Sequence, residues 1–176
     1  MINTYIYKSP CGKLLLGEFD GAVCLCDWMG DNTEPMRLAS LLHVSEVLSS
    51  EARIKFSRTL RKATGELDEY FSGKRKEFSQ RLIFTGTQFR SFVWMELLKI
   101  PYGTTVSYSE FSVMMGKPSA IRAVASALAS NPISIFVPCH RIIGSNGGLT
   151  GYSGGLEAKE YLLNLEGALD VMPTLF

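Results

Sequence analysis

The strongest constraint on the fold is the largely apolar run at residues 133–137, which ends at Pro138 and leads directly into Cys139. A run of this length predicts a buried strand, and proline breaks regular backbone hydrogen bonding at its end. His140 and Arg141 follow at once. The thiolate is the reactive form of cysteine and nearby positive charge favours it, so this order predicts an activated sulfur. The alternative is a buried structural cysteine beside an ordinary surface histidine and arginine.

Composition limits the classes of protein that this chain can represent. Its 176 residues, 46% apolar and 20% charged, suit a globular protein with one large or two small domains. The net charge of +1 argues against a strongly basic coat for nucleic acid but allows a local basic face. No apolar run approaches the ~20 residues that span a bilayer, and the first residues lack a signal-peptide pattern. We therefore expect a cytoplasmic protein with no membrane partner.

The cysteines favour free thiols over disulfides or a metal centre. There are four, at Cys11, Cys24, Cys26 and Cys139. Without a secretion signal, reduced thiols are the default. Cys24 and Cys26 alternate within one predicted strand, whereas zinc sites favour a Cys-x-x-Cys turn. Since the histidines are only His43 and His140, few ligands remain, and we expect no metal site.

The first half of the chain predicts a small sheet followed by a helix. Turn-forming residues at 9–12 and 20–21 separate three strands, a meander, at 2–8, 13–19 and 22–28. Residues 31–57 have no clear period and predict a mixture of loop and short helix. A helix is predicted at 57–71 and a further strand at 78–84. We place a domain boundary near residue 85.

The second half is predicted to be helical. Apolar spacing predicts a helix over 87–100, capped by Thr87 and stopped by Pro101, and a last helix over 156–166, ended by Gly167. In that last turn Glu166 opposes the helix dipole, an effect of about 0.3–1 kcal/mol. The carboxylate either orients an imidazole or is an ordinary exposed glutamate.

Two short helices, 105–115 and 119–130, flank the turn at 116–118 and resemble a helix-turn-helix. The second helix is predicted to face the core with Ile121, Val124, Ala125 and Leu128. Its opposite face carries mostly small residues, namely Ser119, Arg122, Ala123, Ser126 and Ser130. Small side chains allow close approach to a DNA groove, and an arginine can reach between bases. The alternative is an ordinary packing helix with a solvated arginine.

Several motifs occur in order between residues 67 and 167: Leu67-Asp68-Glu69-Tyr70-Phe71-x-Gly73, Gly86-Thr87-x-Phe89, Gly103-Thr104-Thr105-Val106-Ser107-Tyr108, Arg122-Ala123-Val124, Asn131-Pro132, Pro138-Cys139-His140-Arg141, Ile143-Gly144-Ser145-Asn146-Gly147, Tyr152-Ser153-Gly154-Gly155-Leu156, Lys159 and Glu166-Gly167. Together they resemble the 6-O-alkylguanine-DNA alkyltransferases, which are suicidal DNA-repair proteins. The resemblance implies irreversible transfer of the alkyl group from 6-O-methylguanine, and less readily from 4-O-methylthymine, to Cys139. It also implies a monomer that binds double-stranded DNA carrying alkylated guanine and needs no cofactor.

The resemblance implies an α+β fold with two domains. Residues 1–85 would form a small antiparallel sheet with a helix, in a ribonuclease H-like arrangement. Residues 86–176 would form a helical domain that carries the alkyl acceptor and a winged-helix-like helix-turn-helix for DNA.

The family pattern also implies roles for individual residues. Cys139 would be the nucleophile, His140 a base acting through a water, and Glu166 the group that orients His140. Asn131 would brace the active-site turn, and Tyr108 would protonate the departing guanine and lie against the phosphate. Arg122 would fill the stack left by the flipped nucleotide. Further DNA contacts would come from Ser119, Ala123, Ser126 and Ser145, and the base pocket would be lined by Val137, Tyr152, Ser153 and Gly154.

Ala125, Ser126 and Ser130 stand where the family often has glycines, which puts close docking on DNA in doubt. Two other functions remain open. A non-catalytic lesion-binding protein would lack the cysteine, which this chain retains. A thiol hydrolase would need a second histidine in contact with the sulfur, and only His43 is available.

Overall fold

The computed structural model describes residues 2–30 and 57–169. These residues form two compact units. The described residues up to Thr85, together with Pro132–Phe136, make the first unit, and Gly86–Asn131 with the described residues from Val137 onward make the second. The sequence analysis assigned everything after residue 85 to one domain, so the two divisions differ in the segment that precedes Cys139. Residues 31–56, including His43, lie outside the described residues.

The first unit contains an antiparallel sheet of order β1-β2-β3. Its strands are β1 (Asn3–Ser9), β2 (Gly12–Phe19) and β3 (Ala22–Trp28), which confirms the predicted meander. Asp20 and Gly21 have positive φ angles of 50° and 70°, the backbone that a two-residue hairpin turn requires. Every residue of β3 is buried, so this strand forms the centre of the unit.

One helix, α1 (Arg58–Phe71), packs beside this sheet and confirms the prediction for 57–71. The Ser57 side chain accepts from the Leu60 amide at 3.1 Å and caps its start. The face with Leu60, Leu67 and Tyr70 is buried. The Tyr7 hydroxyl donates to Asp68 at 2.8 Å and ties β1 to the helix.

The strand predicted at 78–84 is wrong. Only a single β-bridge forms, between Val23 and Leu82. The Ser79 amide instead donates to the carboxylate of Glu66 at 3.0 Å, and the Ser79 hydroxyl donates to the same group. The Glu66 side chain of α1 therefore accepts the hydrogen bond of a backbone amide that would otherwise pair with a neighbouring strand.

The segment 133–137 is buried as predicted, but it is not a strand. It pairs with β3 at one point: the Cys26 amide donates to Pro132 O, and the Ser134 amide donates to Cys26 O, both at 2.8 Å. The chain then turns at Ile135, whose φ is +72°. A β-branched residue in the left-handed region is a true conformational outlier. The apolar pattern therefore predicted the burial of this segment correctly, but it did not predict the strained turn at Ile135.

The second unit is mainly helical. Its elements are α2 (Gln88–Leu97), β4 (Val106–Ser107), α3 (Tyr108–Met114), α4 (Ile121–Ala129), a 3₁₀ turn (Cys139–Arg141), β5 (Ile142–Ile143) and α5 (Gly155–Leu165). All four predicted helices are present; the first three are shorter than predicted, and the last is shifted by one residue. Trp94 lies in the core and donates from Nε1 to Ala127 O at 2.8 Å, which joins α2 to α4. Within 2–30 and 57–169, no helix combines the length and the hydrophobicity needed to cross a membrane.

The helix predicted at 105–115 begins only at Tyr108. Val106 and Ser107 pair in parallel with Ile142 and Ile143 instead. Ser107 and Glu110 then form a capping box, in which each side chain bonds the backbone of the other residue. The Ser-x-x-Glu spacing was visible in the sequence and marks the true start of α3.

Replacing Ile135 tests the strain in its turn. Removing this buried side chain as Ile135→Ala or Ile135→Gly costs about 2–5 kcal/mol in free energy of unfolding. At positive φ glycine is unstrained and alanine is not, so the Gly variant should be the more stable of the two by about 1 kcal/mol. Urea unfolding measures this difference. At Ile133, which is buried but not at positive φ, the order should reverse. The same order at both positions would contradict the assigned strain.

Candidate active site and nucleic-acid-binding helix

Cys139 is the first residue of the 3₁₀ turn that follows Pro138. Its side chain is largely buried, with 7% of the residue exposed. The amide nitrogen Nδ2 of Asn131 lies 3.1 Å from Sγ of Cys139 and 3.0 Å from Val137 O. An N–H directed at sulfur stabilises negative charge there, and the second bond fixes the amide in place. Asn131 is thus in the bracing position that the family pattern predicted for it.

The remaining cysteines are free thiols, as predicted, and so is Cys139. Cys24 and Cys26 are buried on β3, and Cys11 is half-buried in the first turn. Burial raises the pKa of Cys24 to about 11, which keeps that thiol protonated and unreactive. Among residues 2–30 and 57–169, no three His, Cys, Asp or Glu side chains cluster as metal ligands would. The absence of a metal in the protein stays a prediction.

His140 and Glu166 form the pair that the sequence predicted. Nε2 of His140 lies 2.9 Å from Oε1 of Glu166, and both side chains are completely buried. The other ring nitrogen, Nδ1, is buried and has no hydrogen-bond partner among residues 2–30 and 57–169. Glu166 is the C-terminal cap of α5, so the helix end places its carboxylate here. The alternative of an ordinary exposed glutamate is wrong.

The protonation of this pair follows from its surroundings. Burial alone would raise the pKa of Glu166, but hydrogen bonds and charges from His140 and Arg141 outweigh it and hold that pKa well below its usual range. An ionised carboxylate only accepts hydrogen bonds, so Nε2 of His140 carries the proton. Burial lowers the pKa of His140 against the opposing effect of Glu166, so the ring is neutral at neutral pH. Its Nδ1 lone pair is therefore available to take a proton.

Arg141 acts on Glu166 and not on the sulfur. Its Nε donates to Oε2 at 2.9 Å and its Nη2 to Oε1 at 3.0 Å, a bidentate ion pair. Nη1 donates to Ile100 O at 2.6 Å. The first interpretation, in which the guanidinium next to Cys139 in sequence activates the thiol directly, does not match this geometry.

Gly103 completes the surroundings of the carboxylate. Its amide donates to Oε2 of Glu166 at 3.1 Å. Its φ is +75°, and a Cβ at this position would lie 2.9 Å from the backbone oxygen of Glu166. Any side chain would therefore push against the end of α5 as well as strain the turn.

Lys159 is a site residue to which the sequence gave no role. It is fully buried on α5. Nζ donates to Ile142 O at 2.5 Å and to Thr150 O at 2.8 Å, which fastens β5 and the following loop to the helix. Burial lowers its pKa to about 8, while the charge of Cys139 opposes that shift. Its place among the ordered family motifs was the sequence signal that could have singled it out.

The predicted pocket residues lie in the second unit, at differing depths. Val137 and Ser153 are buried, and Gly154 is half-buried. The Tyr152 ring meets the His140 ring edge to face, with centroids 6.3 Å apart. Tyr108, at the start of α3, is half-buried, and the Cβ position of Gly151 lies 3.7 Å from its hydroxyl.

The outer face of α4 is exposed where the prediction put it, at Ser119, Arg122, Ala123 and Ser126, while Ser130 is half-buried. The predicted core face is partly wrong. Val124 and Leu128 are buried, but Ile121 is 40% exposed and Ala125 is half-buried, and Ala127 takes the core position instead. The helix begins only at Ile121, so its first residue has no neighbouring turn to cover it. Ser145 is exposed in a loop closed by Gly144 and Gly148, whose backbones bond at 2.9 Å.

Comparison with known proteins identifies the family. The profile described as the DNA-binding domain of 6-O-methylguanine DNA methyltransferase matches residues 88–168. A methylated-DNA–protein-cysteine methyltransferase of Methanosarcina acetivorans is 39% identical over 163 residues, which cover 93% of this chain and 97% of the relative. A crystal structure of Mycobacterium tuberculosis O6-methylguanine methyltransferase aligns with 99% of this chain and 96% of that one, at 36% identity and a TM-score of 0.78. A structure of Mycobacterium tuberculosis OGT in complex with DNA aligns over 93% and 91%, at 36% identity and a TM-score of 0.72.

With this identity over nearly the whole chain, and with a cysteine, a neutral histidine and a glutamate held together, the chain belongs to the family of methylated-DNA–protein-cysteine methyltransferases. The mixed α/β fold with its small antiparallel sheet is similar to the solved members.

Glu166→Gln tests the buried ion pair. The change leaves the Arg141 guanidinium without its buried counter-charge, which should cost about 3–5 kcal/mol in free energy of unfolding at neutral pH. The folded pKa of Glu166 is below the unfolded value of about 4.3, so its contribution is full above that pH and is lost as pH falls through the folded pKa. The stability difference from wild type should therefore shrink below about pH 4.

Urea unfolding at several pH values checks this expectation. Glu160→Gln, a change at an exposed position of α5, is the matched control and should have little effect at any pH. A penalty for Glu166→Gln that stays the same at every pH would contradict the assigned ion pair.

Proposed function

We infer that this protein repairs DNA by transferring the alkyl group of 6-O-alkylguanine to Sγ of its own Cys139. The relatives are named for this activity, and the chain retains the cysteine that a lesion-binding protein would lack. One observation carries the residue assignment: the sulfur accepts a hydrogen bond from Asn131, and in the adjacent neutral His140 Nε2 is bonded to Glu166 while Nδ1 has no partner in the described part of the chain.

The proposed reaction begins with the thiol proton. Through a bridging water, Nδ1 of His140 accepts that proton, and the Glu166 carboxylate stabilises the imidazolium that forms. The thiolate of Cys139 attacks the alkyl carbon, the carbon–oxygen bond breaks, and its electron pair returns to the guanine. Tyr108 donates its hydroxyl proton to the guanine and regains a proton from solvent. His140 releases the thiol proton to solvent, so the proton count balances. Overall, the alkyl group and the thiol proton exchange places.

The reaction needs no methyl donor, and it ends after one turnover. The product is a thioether, in which sulfur has no good leaving group. The described side chains that contact the sulfur or follow it offer no way to remove the alkyl group: Asn131 donates a hydrogen bond, and His140 is a base, not a reductant or a stronger nucleophile. Each molecule would therefore repair one lesion. On the same chemistry we propose that 4-O-methylthymine is a slower substrate.

DNA would bind along the helix-turn-helix formed by α3 and α4. The lesion oxygen lies inside the duplex, so the nucleotide must be flipped out, and the exposed Arg122 would occupy the space it leaves. Ser119, Ala123, Ser126 and Ser145 would contact the DNA, and Val137, Tyr152, Ser153 and Gly154 would line the pocket for the base. The Mycobacterium tuberculosis relative in complex with DNA supports the partner.

We also propose that the first domain is ribonuclease H-like and the second winged-helix-like, and that the protein is a cytoplasmic monomer.

A stoichiometry assay tests the function. A duplex carrying 6-O-methylguanine with a labelled methyl is incubated with reduced protein, and label on the protein is counted. Transfer should saturate near one methyl per protein, with the label on Cys139 by peptide mapping. Cys139→Ala should accept no label. Cys11→Ala, which removes a half-buried thiol in the turn between β1 and β2, should behave as wild type. Repeated turnover, or no transfer to intact protein, would rule the function out.

Arg122→Ala tests nucleotide flipping. Because flipping costs a few kcal/mol, loss of the inserted side chain should slow transfer from saturating duplex by about 10-fold or more. Transfer from the free alkylated base, which needs no flipping, should not change. Lys117→Ala removes a positive charge from the exposed turn before α4 and serves as the control. This variant should bind duplex more weakly, but its transfer rate should reach the wild-type rate at saturating duplex. Equal losses for Arg122→Ala on both substrates would count against the flipping role.

A further inference from the structure

We propose that Arg141 is a positioning residue that keeps His140 neutral, and so able to act as a base, by compensating the buried charge of Glu166. The inference rests on the proposed role of His140 in the transfer reaction. It assigns to Arg141 a function in the proton relay rather than at the sulfur.

The three side chains of His140, Glu166 and Arg141 share a buried environment, in which their net charge matters. His140 and the Glu166 carboxylate are fully buried, and the Arg141 side chain is nearly so. With neutral His140, the charges of Glu166 and Arg141 sum to zero. Without Arg141, the contacting pair of His140 and Glu166 would carry −1 when the ring is neutral and zero when it is protonated; the buried Lys159 bonds the backbone oxygens of Ile142 and Thr150 instead. Since an unpaired buried charge is costly, removal of Arg141 would favour the imidazolium and abolish the base.

The geometry makes this compensation specific. Two guanidinium nitrogens reach the two carboxylate oxygens at 2.9 and 3.0 Å, including Oε1, the oxygen that His140 also binds. The third nitrogen bonds Ile100 O at 2.6 Å. The guanidinium also lies over the Tyr102 ring, 5.8 Å from its centroid, and the Tyr102 hydroxyl donates to Leu165 O at 3.1 Å. The guanidinium is thus fixed against the carboxylate from several sides.

The other groups near His140 are consistent with this role. The charges of Arg141 and Lys159 both lower its pKa, after burial, which is the largest cause. Glu166 is the acidic group that opposes them. The charged groups that act on His140 are Glu166, Arg141 and Lys159. The Tyr152 ring contacts the imidazole, Tyr102 lies near Glu166 and Arg141, and Cys139 interacts with Lys159. Of the two cations, Arg141 is the one in direct contact with the carboxylate.

A double-mutant cycle tests the proposal in the full chain. The variants are Arg141→Gln, Glu166→Gln and the double variant, each checked for folding by circular dichroism. The pKa of His140 is measured by NMR titration of its ring, and the single-turnover rate of transfer from a 6-O-methylguanine duplex is followed against pH. In Arg141→Gln the pKa of His140 should rise by about one unit or more, which moves the acid limb of the rate profile upward and slows transfer about tenfold within that limb.

The double variant has the same net charge as wild type at each protonation state of His140, so its histidine should titrate near the wild-type pH. In Glu166→Gln, where Arg141 stays unopposed, the pKa of His140 should be lower than in the double variant. This second comparison isolates the charge of Arg141 even when Arg141→Gln alone does not fold.

An unchanged pKa of His140 across the cycle would overturn the proposal, as would a loss of rate in Arg141→Gln that is the same at every pH. Either result would mean that Arg141 only stabilises the fold. The NMR titration does not depend on transfer. If wild-type protein transfers no methyl group while the predicted order of pKa values holds, the proposed function fails and the role of Arg141 stands.

Discussion

The structure of the second unit depends on one buried carboxylate. Glu166 receives hydrogen bonds from the ring of His140, the guanidinium of Arg141 and the amide of Gly103. His140 and Arg141 are neighbours in the 3₁₀ turn, whereas Gly103 lies far from them in sequence. A carboxylate without these donors would not be stable in the interior. The C-terminal end of α5, the turn after α2 and the 3₁₀ turn are therefore held to one point. The same contacts set the proton on His140, so folding and acid–base chemistry have a common origin.

The sulfur of Cys139 is positioned by Asn131 and not by the contacts of Glu166. Asn131 and Val137 lie on either side of a segment that groups with the first unit, and the Asn131 amide bonds both Val137 O and the sulfur. Between them the chain makes a buried turn with Ile135 in a left-handed conformation. Such a conformation persists only where the packing around the segment determines it. Local sequence around the cysteine does not contain this information.

The sequence predicted best those features whose causes are local. The helices beginning after Ser57 and Thr87 follow from capping residues and apolar spacing, and both caps are present. The strands predicted at 78–84 and 133–137 were wrong for different reasons: no residue of 78–84 is buried, whereas 133–137 is buried but does not continue as a strand. In the first case the backbone bonds a glutamate side chain, and in the second it turns.

The site shows the same division. Cys139, His140 and Glu166 could be predicted because the family motifs name them, and the contact between His140 and Glu166 is confirmed. The partner of Arg141 could not, since it lies 25 residues away and residue order suggested the sulfur instead. Lys159 was missed because a buried lysine looks like a surface lysine in a sequence. Its environment exists only after α5 packs against β5 and the loop.

Gly103 has a consequence for how such a chain can change during evolution. Its amide binds the carboxylate of Glu166, and the space where its side chain would be is occupied by the backbone oxygen of the same residue. That oxygen belongs to the main chain and is present whatever residue stands at position 166. The requirement for glycine at 103 therefore persists even in a chain that has lost the carboxylate, and the constraint between the two positions runs in one direction only.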